Sequence, residues 1–152
     1  MNAAVDIIQQ APAFDWRNPH YAPIWAKRIR MLAKLRDPQD GPRYLQAMLQ
    51  FYRAGNIDRM IEDWGVTYDP RNAGTGKPIL MPFILFPRQR ESIQWLWKLF
   101  KAQRDGIEVK SRDCGASWLF MAFCVCLCRL FDHVSCGIGS RKEDLVDRSG
   151  DP

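Results

Sequence analysis

The segment IEVKSRDCGASWLF, residues 107–120, decides the fold that the sequence predicts. It begins with a short strand-like run, Ile107 to Lys110, and continues through a polar loop. An apolar helix is then predicted from about Gly115 to Phe131, and a second strand around Val134 to Ile138. Strand, loop, buried helix and strand in this order are typical of an α/β nucleotide-binding fold.

The loop of this segment matches the pattern of a phosphate-binding loop only in part. That pattern is G-x-x-x-x-G-K-[ST], placed between a strand and a helix. If Gly115 is the second glycine and Ser117 the hydroxyl residue, Lys110 stands where the first glycine belongs. Ala116 then stands where the lysine belongs. Judged by its letters alone, the motif fails.

The loop meets the physical requirements of phosphate binding better than it matches the consensus sequence. Gly115 allows the backbone to approach an anion closely, and the amides of residues 113–117 can point at phosphate oxygens at the start of the helix. The hydroxyl of Ser117 can bind Mg²⁺, and Lys110 or Arg112 can supply the missing positive charge. An ordinary turn between a strand and a helix, with a basic residue at the strand end, is the alternative.

The rest of the chain divides at a connector. Residues 66–78 contain glycines and prolines and are predicted to join two parts. The part before the connector is predicted to be helical, and the part after it alternates strands and helices. The predicted elements are helices from Tyr21 to Leu35, from Pro42 to Ala54 and from an N-cap at Asn56 to the residue before Gly65, a strand over 79–86 weakened by Pro82, and a helix from Arg88 to Gln103.

The composition is that of a basic globular protein. A length of 152 residues with 47% hydrophobic and 12% aromatic residues excludes wholesale disorder and fits one ordinary domain. The net charge of +5 favours an acidic partner such as nucleic acid or a nucleotide. The longest uncharged apolar run, Ala116 to Cys128, is shorter than the ~20 residues that a membrane helix needs. The sequence also lacks the pattern of a signal peptide at its start.

Five cysteines are present, three of them in the run CVCLC. Residues two apart on a helix point to different faces, so the run is poor geometry for a metal. An odd number of cysteines without a secretory signal predicts reduced thiols, buried as small hydrophobic side chains. The cysteines are Cys114, Cys124, Cys126, Cys128 and Cys136.

Four stretches of the chain resemble one protein family, the phage terminase large subunits. These are the ATPases of viral DNA-packaging motors. KSRDCGAS, 110–117, is similar to their deviant phosphate-binding loop, in which the basic residue lies at the beginning of the motif. TYDPRNAG, 67–74, and PFILFPRQRESIQWLW, 82–97, resemble the approach to the motor domain. GIGSRKEDLVD, 137–147, resembles the segment that follows the second strand.

The resemblance implies a fold and a division of the chain. The implied fold class is α/β, with a helical N-terminal region followed by an incomplete P-loop ATPase sheet of the additional-strand, RecA-like kind. Residues 1–66 form the helical region, 67–78 the connector and 79–152 the truncated P-loop ATPase domain. The resemblance covers the N-terminal portion of the family only, so the sheet is expected to lack strands that lie in its middle.

The resemblance also implies which residues hold the nucleotide. Gln89, in the sequence FPRQ, corresponds to the residue that recognises adenine, and Lys110 corresponds to the displaced lysine, with Arg112 as its alternative. Asp113 is expected to be held by Arg112 or turned away from the phosphates. The implied nucleotide-binding residues are Arg88, Gln89, Lys110, Ser111, Arg112, Asp113, Cys114, Gly115, Ala116 and Ser117, with Lys110 and Arg112 as the catalytic cations and Ser117 as the ligand of an ATP-bound Mg²⁺.

The implied function is ATP binding that powers packaging of viral DNA into the prohead. The expected partners are ATP, double-stranded DNA, the small terminase subunit, the portal and prohead, and further copies in a motor ring, in the cytoplasm of the bacterial host and without a membrane. The sequence contains neither a Walker B strand nor nuclease carboxylates, so hydrolysis and DNA cutting are not expected of this chain alone. Two alternatives stay open: a helical interaction module in which residues 1–66 dock the small terminase subunit or a neighbouring motor subunit, and an inactive prophage remnant.

Overall fold

The computed structural model describes residues 14–111, 114–137 and 139. In these residues the chain forms helices and one small sheet. In chain order they are α1 (Ala22–Leu35), α2 (Gly41–Arg53), α3 (Ile57–Trp64), β1 (Val66–Tyr68), a 3₁₀ turn (Pro70–Asn72), β2 (Leu80–Pro82), α4 (Pro87–Ala102) and α5 (Ala116–Leu130).

The helix predictions are confirmed, with every end within one residue of its predicted position. Proline lies in the first turn of α1, α2 and α4, where its missing N–H group costs nothing. Gly55 and Gly65 follow the ends of α2 and α3 closely. Local signals of this kind act within a few residues, which is why they fix the helix ends well.

The strand predictions are largely wrong. Of the predicted strand 79–86 only Leu80–Pro82 forms, and it pairs antiparallel with Val66–Tyr68, inside the predicted connector. Residues 107–110 and 134–137 form no strand, and Ile138 lies outside the described residues. The side chains of Ile107 and Val109 are 90% and 94% exposed.

A strand is stable only when a neighbour accepts its hydrogen bonds. The described residues form one sheet, β1–β2, and no described segment pairs with residues 107–110. The structure is therefore α/β in the general sense, with helices and a two-stranded antiparallel sheet. The parallel sheet of a RecA-like fold is not formed by the described residues.

One hydrophobic core holds the helices together. It takes side chains from α1, α2 and α3, from the segment after β2, and from α4 and α5, so it joins residues on both sides of the predicted connector. Fully buried members include Met31, Tyr52, Ile57, Ile61, Ile93 and Leu130. The division into a helical region and a second domain stays a prediction.

Helix α5 buries one face and leaves another exposed. Leu119, Phe123 and Leu127 lie on the buried face, whereas Trp118 and Val125 are more than half exposed. No helix in the described residues is long and apolar enough to cross a membrane.

The prediction that the cysteines are buried is wrong for three of them. Cys126 is buried on the inner face of α5, and Cys124 is half-buried. Cys114, Cys128 and Cys136 are exposed. The alternation in CVCLC places successive cysteines on different sides of the helix, so burial of one leaves the others nearer to solvent.

A buried polar network joins α1, α2 and α3. Lys27 Nζ lies 2.6 Å from Asp63 Oδ1, and the Tyr52 hydroxyl donates to Asp63 Oδ2 at 2.8 Å. Arg28 donates to the backbone carbonyls of Glu62 and Gly65, at 2.9 and 2.6 Å, and so satisfies acceptors at the end of α3. Desolvation by burial lowers the pKa of the Arg28 guanidinium, while the nearby Asp63 carboxylate opposes that shift.

Polar side chains of α3 also fix the position of the start of α4. Arg90, in the first turns of α4, forms ion pairs with Asp58 and Glu62 of α3. The Glu62 carboxylate also accepts from the backbone N–H of Leu85 at 3.2 Å. The segment leading into α4 is therefore held from two directions, and the residues at its N-terminus have a defined position.

Two buried tyrosines of α2 provide a test of this network. The Tyr52 hydroxyl donates to Asp63 and accepts from Trp64 Nε1 at 3.1 Å, whereas the buried hydroxyl of Tyr44 has no hydrogen-bond partner in the part of the chain that the structure describes. We expect Tyr52→Phe to lower the free energy of unfolding by about 1–2 kcal/mol, because it leaves buried polar groups unsatisfied. Tyr44→Phe is expected to be neutral or slightly stabilising, because it removes a hydroxyl that is buried unpaired. Urea unfolding of both variants measures the difference, and equal losses would contradict the assignment.

Candidate functional site

A pocket of about 540 Å³ lies where the first turns of α4 and α5 meet the segment 108–111. Its volume is in the range of small-molecule sites. Seven of the ten sequence-predicted site residues line it: Arg88, Gln89, Lys110, Ser111, Cys114, Gly115 and Ala116. Arg112 and Asp113 lie outside the described residues, and Ser117 is exposed and does not line the pocket.

Gln89 connects the two halves of the pocket. Its Oε1 atom accepts from the backbone N–H of Phe86 at 3.1 Å, which caps the first turn of α4. Its Nε2 atom donates to the backbone carbonyl of Cys114 at 3.2 Å, across 25 residues of sequence. A glutamine amide has two N–H donors and two acceptor sites on oxygen, so one donor and one acceptor site remain for a ligand.

Gly115 forms the N-cap of α5 in a conformation that favours glycine. Its φ angle is +73°, and a Cβ atom built there would lie 3.2 Å from Gln89 Nε2. Among the described residues no side chain caps α5, and the first turn of the helix contains no acidic residue. The amides of this turn have no acceptor within the helix, and the positive end of the helix dipole faces the pocket. This end of the pocket therefore suits an anion.

The charged groups of the pocket differ in their partners. Arg88 pairs with Glu91 at 2.8 Å in an exposed salt bridge. Glu108 accepts from the Ser92 hydroxyl at 3.0 Å. Lys110 is exposed and forms no ion pair with any residue of the described ranges. Among the described lining residues, Lys110 is thus the cation most available to a ligand.

Two polar residues of the pocket, Ser92 and Glu108, were not predicted from the sequence. Ser92 lies three residues after Gln89, on the same face of α4, and this spacing could have identified it. Glu108 lies two residues before Lys110, a spacing that places both side chains on one side of the strand predicted over Ile107 to Lys110. Both signals are weak, because each has meaning only relative to a neighbouring site residue, Gln89 or Lys110.

The described residues that line the pocket offer few ligands to a metal ion. No group of three or more histidine, cysteine or acidic side chains within the described part of the chain is placed to hold one. Glu108 is the one carboxylate among the described lining residues. An Mg²⁺ ion here would depend on phosphate oxygens and water, which are its usual ligands in nucleotide sites.

A second pocket, of about 570 Å³, adjoins the first and shares Phe86, Gln89 and Gly115 with it. Its walls include the half-exposed rings of Tyr68 and Trp118. Trp16 also lines it and packs against Phe86 in a tilted arrangement, with ring centroids 4.2 Å apart. Planar aromatic walls beside a glutamine amide suit a flat heterocycle with a polar edge.

Comparisons with protein-family models, with curated proteins and with solved structures found no match. The family resemblance of the sequence therefore stays a prediction. The segment GIGSRKEDLVD, 137–147, contributes no geometry beyond Gly137 and Gly139, because its other residues lie outside the described part. What the structure contributes is the pocket itself.

Proposed function

We propose that the pocket between α4 and α5 binds ATP, and that the chain is the nucleotide-binding part of a DNA-packaging ATPase of the terminase large-subunit kind. The observation that carries the proposal is the contact between Gln89 and Cys114. These two residues belong to two separate stretches that the resemblance predicts to act together, and they meet in one pocket.

The chemistry of the pocket suits the parts of ATP. The start of α5, with Gly115 and without a capping side chain from the described residues, favours phosphate oxygens. Lys110 supplies a cation that is not neutralised by a described residue. Gln89 offers a donor and an acceptor to the edge of adenine, and Tyr68 and Trp118 offer apolar faces to its ring. Mg²⁺, when bound with ATP, would neutralise part of the phosphate charge.

The proposal covers binding and not hydrolysis by this chain alone. Hydrolysis requires acidic groups that hold Mg²⁺ and orient the attacking water. The described lining residues provide Glu108 only, and its carboxylate accepts from Ser92. Double-stranded DNA, the small terminase subunit, the portal and further copies of the chain are the proposed partners of the complete motor.

Titration with a fluorescent ATP analogue tests the proposal. We expect saturable binding by the wild type, and an affinity about 5- to 10-fold lower for Gln89→Ala, because one to two neutral hydrogen bonds are lost. Gln94→Ala is the matched control: it is the same substitution on the same helix, at an exposed position outside both pockets that carry the proposal.

Inorganic tripolyphosphate, which has phosphates but no adenine, distinguishes contacts with the phosphates from contacts with the base. If Gln89 contacts adenine, Gln89→Ala leaves the affinity for tripolyphosphate unchanged while it weakens ATP. An equal loss for both ligands would assign Gln89 to the shape of the loop instead. Absence of saturable binding to the wild type would overturn the proposed function.

A second candidate function, a helical docking module, is favoured by one observation on α1. Trp25, Ile29 and Leu32 follow one another at helical spacing and are 38%, 65% and 44% exposed. Such a stripe suits another helix with an apolar face. Co-purification of a small terminase subunit that is lost in Ile29→Glu, with nucleotide binding absent, would favour this function over the first.

A further inference from the structure

Three thiols come together at the end of α5. Cys124 and Cys128 lie one turn apart on the helix, and Cys136 returns beside them after the helix has ended. The Cys128 thiol donates to Cys136 Sγ at 3.8 Å. The Cys124 thiol is near enough to contribute to the raised pKa of Cys136. The cluster is not evident from the run CVCLC. Neighbouring cysteines of the run, two residues apart, point to different faces of the helix, but Cys124 and Cys128, four residues apart, share one face.

The return of the chain is built into the local structure. His133 adopts a φ angle of +62° in the turn that follows α5, which reverses the direction of the chain. Phe131 stacks on Trp97 and packs against Phe100, with centroid distances of 5.9 and 5.8 Å. The segment that carries Cys136 is therefore anchored at its beginning, and the two thiols face each other at a high effective concentration.

We propose that Cys128 and Cys136 are a reversible disulfide site that is oxidised by low-molecular-weight disulfides such as oxidised glutathione. The thiolate of one cysteine attacks a sulfur of oxidised glutathione, forms a mixed disulfide and releases one glutathione thiolate. The second cysteine then attacks the protein sulfur of the mixed disulfide and releases the second glutathione. The two protein thiols lose their protons and are oxidised, and one oxidised glutathione is reduced to two glutathione molecules.

Exposure and proximity together select this pair, because Cys114 is exposed as well but is not the neighbour of either thiol in the contact between Cys128 and Cys136. Cys128 and Cys136 are exposed and reachable by a tripeptide disulfide, whereas Cys126 is buried and burial raises the pKa of its thiol to about 12. Desolvation is also the main cause that raises the pKa of Cys128 and of Cys136. The thiolate is the attacking species, so the reaction is best followed at mildly alkaline pH.

The cross-link would fix the end of α5 to the segment that leads to Gly137. It joins residues eight apart in sequence, and closing a loop of this size removes entropy from the unfolded chain. Phe131 and Val134 pack against the hydrophobic core, so the cross-linked segment belongs to the structure that unfolds. The site involves no residue of the proposed ATP pocket, and it stands whether or not the chain binds a nucleotide.

Incubation with oxidised glutathione, followed by alkylation and peptide mapping, tests the site. We expect a Cys128–Cys136 cross-linked peptide that is lighter by about 2 Da than its two reduced parts and is reversed by dithiothreitol. The melting temperature is expected to rise by about 5 °C on oxidation. The exposed Cys114 serves as an internal monitor, because it should carry glutathione and no cross-link.

Two alanine variants distinguish the pair from its neighbour. Cys136→Ala should leave Cys128 trapped as its glutathione adduct, without the rise in melting temperature. Cys124→Ala should retain the cross-link and the rise. Separate glutathione adducts on Cys128 and Cys136 of the wild type, a cross-link from Cys124 to Cys136, or disulfide-linked dimers would each overturn the assignment.

Discussion

Replacing Asp63 with alanine is expected to reduce the free energy of unfolding by roughly 3–5 kcal/mol. The Asp63 side chain is 2% exposed and accepts from Lys27 at 2.6 Å and from the Tyr52 hydroxyl at 2.8 Å. Its removal leaves the ammonium group of Lys27 buried without its counter-charge, and this desolvated charge is the main cost. Urea unfolding followed by tryptophan fluorescence measures the loss as a lower midpoint at an unchanged slope.

Two further variants test the cause of this loss. Glu91→Ala breaks an ion pair whose side chains are 62% and 92% exposed, so it should cost no more than about 0.5 kcal/mol. Lys27→Met combined with Asp63→Asn removes both charges and keeps an acceptor for the Tyr52 hydroxyl, so most of the stability should return. If the double variant is as unstable as Asp63→Ala, the uncompensated charge is not the cause.

The helices were predictable because their signals are local. In α4, Ile93, Leu96, Trp97 and Phe100 lie at helical spacing, and all of them pack in or against the core. Pro87 marks the beginning of the same helix within one residue. These features involve neighbours within two turns, so they do not depend on the rest of the fold.

The strands were not predictable for the opposite reason. Ile107 and Val109 have the alternation of a strand, yet both side chains are almost fully exposed and residues 107–110 pair with no described segment. Val66–Tyr68, in a segment read as a connector, does form a strand because Leu80–Pro82 lies beside it. Propensity allows a strand, but a hydrogen-bonded partner decides whether it forms.

The part of the candidate site that could be predicted is the meeting of two sequence motifs, the stretch with Gln89 and the loop with Gly115. Gln89 and Gly115 were predicted as site residues in separate stretches, and they lie close enough that a Cβ on Gly115 would contact the amide of Gln89. Ser92 and Glu108 were missed, because the hydrogen bond between them depends on how the segment 103–111 crosses α4. The thiol cluster was missed because the turn at His133, which returns Cys136 to the helix, has no strong sequence signal.

Lys110→Ala is expected to weaken binding of the ATP analogue by about 10- to 100-fold, because a hydrogen bond to a charged group contributes about 1.5–3 kcal/mol. Lys110 lines the pocket and has no ion-pair partner among the described residues, so its charge is available to the phosphates. Tripolyphosphate should lose the same factor, whereas adenosine should bind equally to both proteins. Competition titrations with these two ligands measure the contrast.

Lys98→Ala is the matched control for Lys110→Ala. Both substitutions lower the net charge from +5 to +4, since each removes one cation, but Lys98 is exposed on α4 and lies outside the pocket. A similar loss of affinity in both variants would show only a general attraction between a basic protein and an anion.

Arg112→Ala tests the other cation of the loop. If Arg112→Ala loses more affinity for tripolyphosphate than Lys110→Ala, the displaced charge of the motif belongs to Arg112, and Lys110 only adds to the field of the pocket.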